Sequence, residues 1–128
     1  MSTFELRTGI DLVDCRRLQR MLDADASFLD IAFTKSEQTY CAGDVARLAA
    51  RWGAKEAAMK ALGLGIGDIS PRDVEVLVDP KGAPTLNLTG SAFQRSIELG
   101  VSGWQITLSH ESDFAIAFVI AVIGGDGV

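Results

Sequence analysis

The sequence has few of the residues that build disulfide scaffolds or metal clusters. It contains two cysteines and one histidine among 128 residues. Cys15 and Cys41 have neither CxxC spacing nor a nearby histidine, a pattern that favours inert, reduced thiols over a zinc site.

Long apolar runs and an excess of positive charge are also missing. The longest apolar run, Phe114–Ile123, is shorter than the about 20 residues that a membrane-spanning helix needs. Met1–Arg7 lacks the basic and then apolar pattern of a signal peptide. From these features we expect a cytoplasmic protein without a membrane segment. The net charge of -5 argues against general binding to nucleic acid, which requires a basic surface.

The composition is that of a soluble globular domain. Hydrophobic residues make up 48% of the chain and aromatic residues 7%, which is enough apolar material for one core. We find no internal repeat, low-complexity tract or linker. Residues 1–128 are therefore predicted to form a single domain.

Capping residues predict three helices in the first half of the chain, after a β-compatible segment over Phe4–Val13. Asp14 is a plausible N-cap for a short helix that reaches Leu22. The capping box Thr34-Lys-Ser-Glu predicts a second helix from Lys35 to about Ala42. The longest helix should lie between Asp44 as its N-cap and Gly63 as its C-terminal glycine.

The second half predicts a hairpin, a short helix and two more strands. The turn of the hairpin is Asp79-Pro-Lys-Gly-Ala-Pro. The predicted bounds are Val74–Val78 and Thr85–Leu88 for the hairpin strands, Ser91–Leu99 for the helix, and Trp104–Ser109 and Phe114–Val122 for the last strands. Together these elements predict an α+β fold, with an antiparallel sheet packed against the long helix.

Glu56 falls on a helix face that should be apolar. Helical spacing places it on the stripe formed by Leu48, Trp52 and Met59. Burying an ionised carboxylate costs several kcal/mol unless a strong partner such as a divalent cation compensates. The alternative is a position at the edge of the stripe, with a salt bridge to Lys60 one turn later.

Asp11 and His110 are polar residues at strand positions that should be apolar. Asp11 interrupts the apolar segment Gly9-Ile-Asp-Leu-Val, either as a functional acid or as a turn or capping residue. His110 falls on the apolar side of a strand at its end, either in a site or as a hydrogen-bonded structural residue.

Cations and glycines near Glu56 admit two interpretations. Arg51, Lys55 and Lys60 form either a solvated helix face with i,i+4 pairing or the surroundings of a polyphosphate held with a divalent cation. The loop that begins at Gly63 can bring backbone N–H groups close to a phosphate. The loop lacks a Walker lysine and a preceding strand, so it does not distinguish a solvated helix face from a polyphosphate site.

Four segments carry a family pattern along nearly the whole chain. They are Gly9-Ile-Asp-Leu-Val, Phe33-Thr-Lys-Ser-Glu, Arg51-Trp-Gly-Ala-Lys-Glu-Ala-Ala-Met-Lys-Ala-Leu-Gly-Leu-Gly and Ile106-Thr-Leu-Ser-His. In these segments the chain resembles the holo-acyl-carrier-protein synthases, the small bacterial phosphopantetheinyl transferases. Trp52-Gly53 stands where the family commonly has Phe-Ala, and Glu111 where Thr or Asp is usual.

The resemblance implies an activity and an assembly. Such an enzyme transfers the phosphopantetheine arm of coenzyme A to a serine of an acidic acyl carrier protein, from fatty acid or polyketide synthesis. The reaction requires Mg2+ and releases adenosine 3',5'-bisphosphate. The implied fold is that of the 4'-phosphopantetheinyl transferases, with active sites between the subunits of a homotrimer.

The resemblance also implies roles for single residues. Asp11 and Glu56 bind Mg2+, and Glu56, directly or through a metal-bound water, is the candidate acceptor of the serine proton. Val13 stands where larger transferases carry a further acid, so phosphate oxygens and waters complete the octahedron. Lys60 and His110 meet the phosphates of coenzyme A. The remaining residues predicted to bind coenzyme A are Arg51, Gly63, Lys81 and Pro84.

A basic cluster lies on the first predicted helix. Arg16, Arg17 and Arg20 place three cations on about one turn of an otherwise acidic protein. They are either a docking face for the acidic carrier protein or an ordinary solvated helix face.

Two other functional classes remain open. One is a different metal-dependent enzyme that acts on a nucleotide pyrophosphate and releases its product to water. The other is a trimer that is purely structural or that binds coenzyme A without turnover.

Overall fold

The computed structural model describes residues 3–124. The elements in chain order are β1 (Phe4–Asp14), α1 (Cys15–Ala24), α2 (Phe28–Ala32), α3 (Lys35–Cys41), α4 (Val45–Leu62), a 3-10 helix (Pro71–Asp73), β2 (Val74–Val78), β3 (Pro84–Leu88), α5 (Gly90–Leu99), β4 (Val101–Glu111) and β5 (Phe114–Gly124). This is the α+β fold that the sequence predicts.

The strands form two antiparallel sheets. One has three strands in the order β1-β5-β4, and the other is the β2-β3 hairpin. In the larger sheet Asp11 lies opposite Ala117, and His110 lies opposite Ala115. The sequence predicts the strands and their antiparallel pairing, but not their division between two sheets.

Capping side chains begin the helices where the sequence predicts. Asp14 accepts a hydrogen bond from the backbone of Arg16, and Asp44 accepts two from the start of α4. Thr34 and Glu37 form both halves of the predicted capping box. The sequence does not predict α2 or the 3-10 helix, which are only five and three residues long. Such short elements present too few turns for a periodic pattern.

The long helix α4 lies very close to the larger sheet. A Cβ atom at Gly9 of β1 would stand only 1.7 Å from the carbonyl oxygen of Ala57 on α4. The strand can approach the helix backbone this closely only because Gly9 has no side chain. This contact brings the middle of β1 beside the middle of α4.

The two faces of the larger sheet differ in residue size. The buried residues of β5 that face α4 are small, namely Ala115, Ala117, Val119 and Ala121. Larger apolar side chains lie on the opposite face and remain exposed within the described chain. They are Leu6, Ile10, Leu12, Phe114, Ile116 and Phe118. Together these residues form the outer sheet face.

Lys55 corrects one interpretation of the sequence. The pattern allowed Lys55 to lie on a solvated face of α4, but its side chain is fully buried. Its Nζ donates to Glu37 Oε1 at 2.8 Å and to the carbonyl oxygens of Pro71 and Val74 at 3.0 and 2.7 Å. Burial lowers the pKa of Lys55, while Glu37 opposes that shift. The ion pair therefore ties α3, α4 and the start of β2 together.

Within residues 3–124, no helix has both the length and the apolar character needed to cross a membrane.

Candidate active site

Asp11 and Glu56 come together at one cleft. Asp11 is on β1 and Glu56 is on α4, next to the Ala57 carbonyl that Gly9 contacts. Both acids line a cleft of about 360 Å³. Its other lining residues are Leu12, Val13, Asp14, Arg17, Leu18, Met21, Trp52 and Ile66. The close packing of strand and helix therefore unites two acids that are far apart in the sequence.

The two acids make the cleft electrostatically unfavourable for further negative charge. Burial raises the pKa of Glu56, and the charge of Asp11 raises it further, whereas Lys60 lowers it. A partly buried carboxylate beside another acid is stabilised by a cation. The donor set is oxygen only, which suits Mg2+ or a similar hard divalent cation.

Lys60 does not form the salt bridge with Glu56 that the i,i+4 spacing allowed. Its Nζ lies 3.2 Å from Asp11 Oδ1 and 2.7 Å from the carbonyl oxygen of Ile10. Among residues 3–124 no salt bridge involves Glu56. The ammonium group therefore stands beside Asp11 at the cleft and places a positive charge next to the two acids.

The cleft contains few side chains that could bind a metal ion. Within the described part of the chain, no three side chains of His, Cys, Asp or Glu converge on one point. A cation held by Asp11 and Glu56 would therefore keep most of its coordination positions for other oxygen ligands, as Mg2+ does when it binds phosphates.

Three other predicted site residues line a second cavity. Arg51, Pro84 and His110 border a space of about 310 Å³ beside the first turns of α4. The other lining residues are Tyr40, Ala46, Arg47, Ala50, Gly82, Leu108 and Ser109. Neither Asp11 nor Glu56 lines this space, so one copy of the chain holds the predicted residues in two separate places.

Gly63 and Lys81 lie outside both cavities. Gly63 ends α4 with a positive φ of 74°, and its N–H donates to carbonyl oxygens of the last helical turn. Lys81 is exposed in the turn between β2 and β3, next to Gly82, which does line the second cavity. Their assignment to coenzyme A stays a prediction.

Tyr40 and Arg47 are residues that the sequence analysis did not single out. The guanidinium carbon atoms of Arg47 and Arg51 lie 5.6 and 4.5 Å from the centre of the Tyr40 ring. The available signal was the four-residue spacing of the two arginines, which places them on one helix face.

The three arginines of α1 are exposed, as predicted, but they differ in their surroundings. Arg16 lies 3.3 Å from Asp14 and 3.7 Å from Asp113, so nearby acids offset its charge. Arg17 lines the cleft that contains Asp11 and Glu56. Of the three, Arg17 is therefore the one placed to act at that cleft.

Known proteins match the chain along most of its length. The model of a family described as the 4'-phosphopantetheinyl transferase superfamily matches residues 7–119. The holo-[acyl-carrier-protein] synthase of Herpetosiphon aurantiacus is 41% identical over 125 residues, which cover 91% of this chain and 98% of that protein. The corresponding protein of Syntrophus aciditrophicus is 44% identical over 118 residues, with 88% and 92% covered.

Solved structures show the same fold. The Helicobacter pylori holo-[acyl-carrier-protein] synthase, solved in complex with coenzyme A, has a TM-score of 0.79 at 28% identity. That alignment covers 92% of this chain and 99% of the other. The Neisseria meningitidis enzyme of the same name has a TM-score of 0.81 at 32% identity, with 90% and 96% covered.

Proposed function

The chain belongs to the 4'-phosphopantetheinyl transferase superfamily, and we propose that it transfers 4'-phosphopantetheine from coenzyme A to a serine of an apo acyl carrier protein. The serine oxygen forms a bond to the β-phosphorus, and adenosine 3',5'-bisphosphate leaves with the oxygen of the broken bond. The observation that carries the proposal is the meeting of Asp11 and Glu56, with Lys60 beside them, at one cleft.

We assign Mg2+ to Asp11 and Glu56, because both carboxylates line the cleft and the burial of Glu56 favours a nearby cation. When bound there, the ion supplies charge neutralisation for the pyrophosphate of coenzyme A.

Side chains of the protein position the substrate and move the proton. Lys60 is held by Ile10 and Asp11, where its ammonium group offsets negative charge on the pyrophosphate. Glu56, which lines the cleft beside Asp11, accepts the proton of the carrier serine. His110 and Arg51 bind phosphate groups from the second cavity.

A homotrimer would bring the two cavities together. The outer sheet face is an apolar surface of the kind that proteins cover by association. We propose that this face forms the centre of a trimer, so that Arg51, Pro84 and His110 of one subunit lie beside Asp11 and Glu56 of the next. Each active site then needs two copies of the chain.

Replacing Phe118 by glutamate tests the trimer. Phe118 lies on the central strand of the sheet, opposite Ile10 on β1 and Thr107 on β4. Light scattering should show a trimer for the unmodified protein at micromolar concentration and a smaller species for Phe118→Glu, because the introduced charges cannot be buried together. Transfer activity should decrease as the fraction of trimer decreases. Phe93→Glu is the matched control, since Phe93 is exposed on α5. A fully active monomer would contradict the shared site.

The basic helix α1 is the proposed docking site for the acidic carrier protein. Arg17 lines the cleft, while Arg16 and Arg20 are exposed beside it on the same helix. Positive charge at this position steers an acidic partner toward the two acids of the active site.

Reversing the charge of all three arginines tests the docking site. In Arg16→Glu, Arg17→Glu and Arg20→Glu combined, the KM for the carrier should rise about 10-fold or more, because like charges repel the partner. The KM for coenzyme A should stay nearly constant in the double variant Arg16→Glu with Arg20→Glu, because neither of these two arginines lines the cleft. Added salt should raise the KM of the unmodified enzyme for the carrier, since about 0.15 M salt limits exposed charges to a reach of roughly 8 Å. The KM of the triple variant should no longer depend on salt in this way. Arg72→Glu, at an exposed arginine away from α1, is the control. Loss of affinity for coenzyme A instead of the carrier would place these arginines at the nucleotide.

One assay separates the proposal from the two other functional classes. The protein is incubated with coenzyme A, Mg2+ and an apo carrier protein, and the carrier is weighed by mass spectrometry. A transferase adds one phosphopantetheine group to the carrier, and a metal chelator abolishes that product. A hydrolytic enzyme releases adenosine 3',5'-bisphosphate without modifying the carrier. A binding protein produces neither change.

A further inference from the structure

Two arginines donate hydrogen bonds to the carbonyl oxygens at the end of α4. Arg7 on β1 donates from Nε to the carbonyl oxygen of Ala61 at 2.6 Å, and Arg95 on α5 donates from Nε to that of Leu62 at 2.9 Å. Both arginines are half-buried, and neither forms a salt bridge among residues 3–124. The last carbonyl groups of a helix need such donors. The two arginines therefore cap the same helix end in the same way.

The contact between β1 and α4 has glycines at its closest points. A Cβ atom at Gly9 would stand 1.7 Å from a carbonyl oxygen of α4, and one at Gly53 would stand 3.3 Å from Cγ2 of Val13. Arg7 meets Ala61 farther along the same contact, so the strand and the helix run antiparallel. Apolar contact between small groups has no preferred direction along the strand, whereas a hydrogen bond is directional. The hydrogen bond from Arg7 therefore fixes the alignment of β1 along α4.

Lys60 forms a second polar link between the same strand and the same helix. It directly precedes Ala61, the residue that accepts from Arg7. Its Nζ lies 2.7 Å from the carbonyl oxygen of Ile10 and 3.2 Å from Asp11 Oδ1. The side chain is 55% exposed, and its four-carbon stem is flexible. The place of the ammonium group therefore depends on the alignment of the two backbones, which Arg7 fixes at the next residue of the helix.

We propose that Arg7 is a positioning residue for phosphopantetheine transfer, because its hydrogen bond to Ala61 keeps Lys60 beside Asp11 at the cleft. The inference rests on the proposed function, in which Lys60 offsets negative charge on the pyrophosphate of coenzyme A. Arg95 caps the same helix end from α5, and within the described chain no residue of α5 lines the cleft. Arg95 therefore stabilises the end of α4 without acting on the alignment of β1.

Substitutions of Arg7 that differ in one donor test its effect on transfer. Methionine is unbranched and has no donor, whereas glutamine carries an N–H group as many bonds from the backbone as Nε of arginine. For Arg7→Met, kcat/KM for coenzyme A should fall about 10-fold, because losing a hydrogen bond to a charged group has about this effect. Arg7→Gln should keep most of the activity. Arg95→Met should keep all of it, although both methionine variants should unfold at a similarly reduced temperature.

Acetylation of the lysines measures the position of Lys60 without an assay of transfer. After brief treatment with acetic anhydride, mass spectrometry of peptides gives the acetylated fraction of each lysine. The rate at Lys60 should rise about 3-fold in Arg7→Met, because an amine released from Ile10 and Asp11 meets the reagent more often and an exposed ion pair protects only weakly. The rate should stay constant in Arg7→Gln and Arg95→Met.

The other lysines supply internal controls for the acetylation. Lys35 and Lys81 are exposed and report the activity of the reagent. Lys55 is fully buried, so its acetylation reports unfolding of the protein. A rise at Lys60 without a rise at Lys55 therefore belongs to the folded state of the variant.

The two measurements separate the inference from the proposed function. Slower transfer together with faster acetylation of Lys60, in Arg7→Met alone, would support the inference. Equal effects in Arg7→Met and Arg95→Met, or in Arg7→Met and Arg7→Gln, would overturn it, and so would faster acetylation with unchanged transfer. Absence of transfer by the unmodified protein would contradict the proposed function. Acetylation would then still decide whether Arg7 holds Lys60 in place, and an unchanged rate in Arg7→Met would overturn that role.

Discussion

Glu56→Gln is expected to reduce phosphopantetheine transfer by about 1,000-fold or more while leaving the protein folded. Glutamine keeps the shape of the side chain but cannot accept the serine proton and is a poor ligand for Mg2+. Loss of several kcal/mol of transition-state stabilisation corresponds to this factor in rate. Asp11→Ala and Glu56→Ala should also remove activity.

Thermal unfolding provides the control for this loss. Burial and the neighbouring charge of Asp11 raise the pKa of Glu56, so its ionised form is unfavourable in the folded protein. Glu56→Gln should therefore unfold at the same temperature as the unmodified protein or at a higher one. Glu98→Gln, at an exposed acid on α5, should change neither property. Unchanged turnover in Glu56→Gln or in Asp11→Ala would refute the assignment of the metal and the base.

Lys55→Met should have the largest effect on stability, about 3–5 kcal/mol. The substitution leaves the carboxylate of Glu37 buried without its cation, and it removes hydrogen bonds to two carbonyl oxygens. A protein of this size should then unfold about 10 °C lower or more. Thermal unfolding followed by circular dichroism measures the change.

The double variant Lys55→Met with Glu37→Gln distinguishes an unpaired charge from lost packing. Glutamine at position 37 removes the charge and keeps an oxygen that can accept from the backbone of Val76 or Thr34, as Glu37 does. A large part of the stability lost in Lys55→Met should therefore return. If the double variant is as unstable as the sum of the two single variants, the two side chains do not act as a buried ion pair.

The sequence predicts those parts of the fold that depend on local chemistry. Asp14, Thr34 and Asp44 begin their helices because a short oxygen-bearing side chain satisfies free backbone N–H groups. Asp11 and Glu56 were identifiable because each interrupts an apolar pattern. The strand that carries Asp11 can contact α4 closely only because Gly9, two residues earlier, has no side chain.

Long-range contacts determine the features that the sequence does not predict. The sequence allowed Lys55 and Lys60 to share a solvated face of α4, and only the packing of α3 and β2 against α4 makes one buried and the other exposed. Tyr40 joins the two arginines from a different helix, which no spacing within α4 could reveal. The separation of His110 from Asp11 likewise depends on strand order in the sheet.

The unequal faces of β5 have a consequence for how the protein unfolds. Small residues such as Ala117 and Ala121 contact α4, while Ile116 and Phe118 extend from the other side of the strand. One chain therefore buries the smaller apolar side chains of β5 by itself, and it buries the larger ones of this strand only in the proposed assembly. By mass action, the midpoint of thermal unfolding should then rise with protein concentration. Dilution would weaken the fold and the active site together, so enzyme concentration itself becomes a determinant of how long the activity lasts.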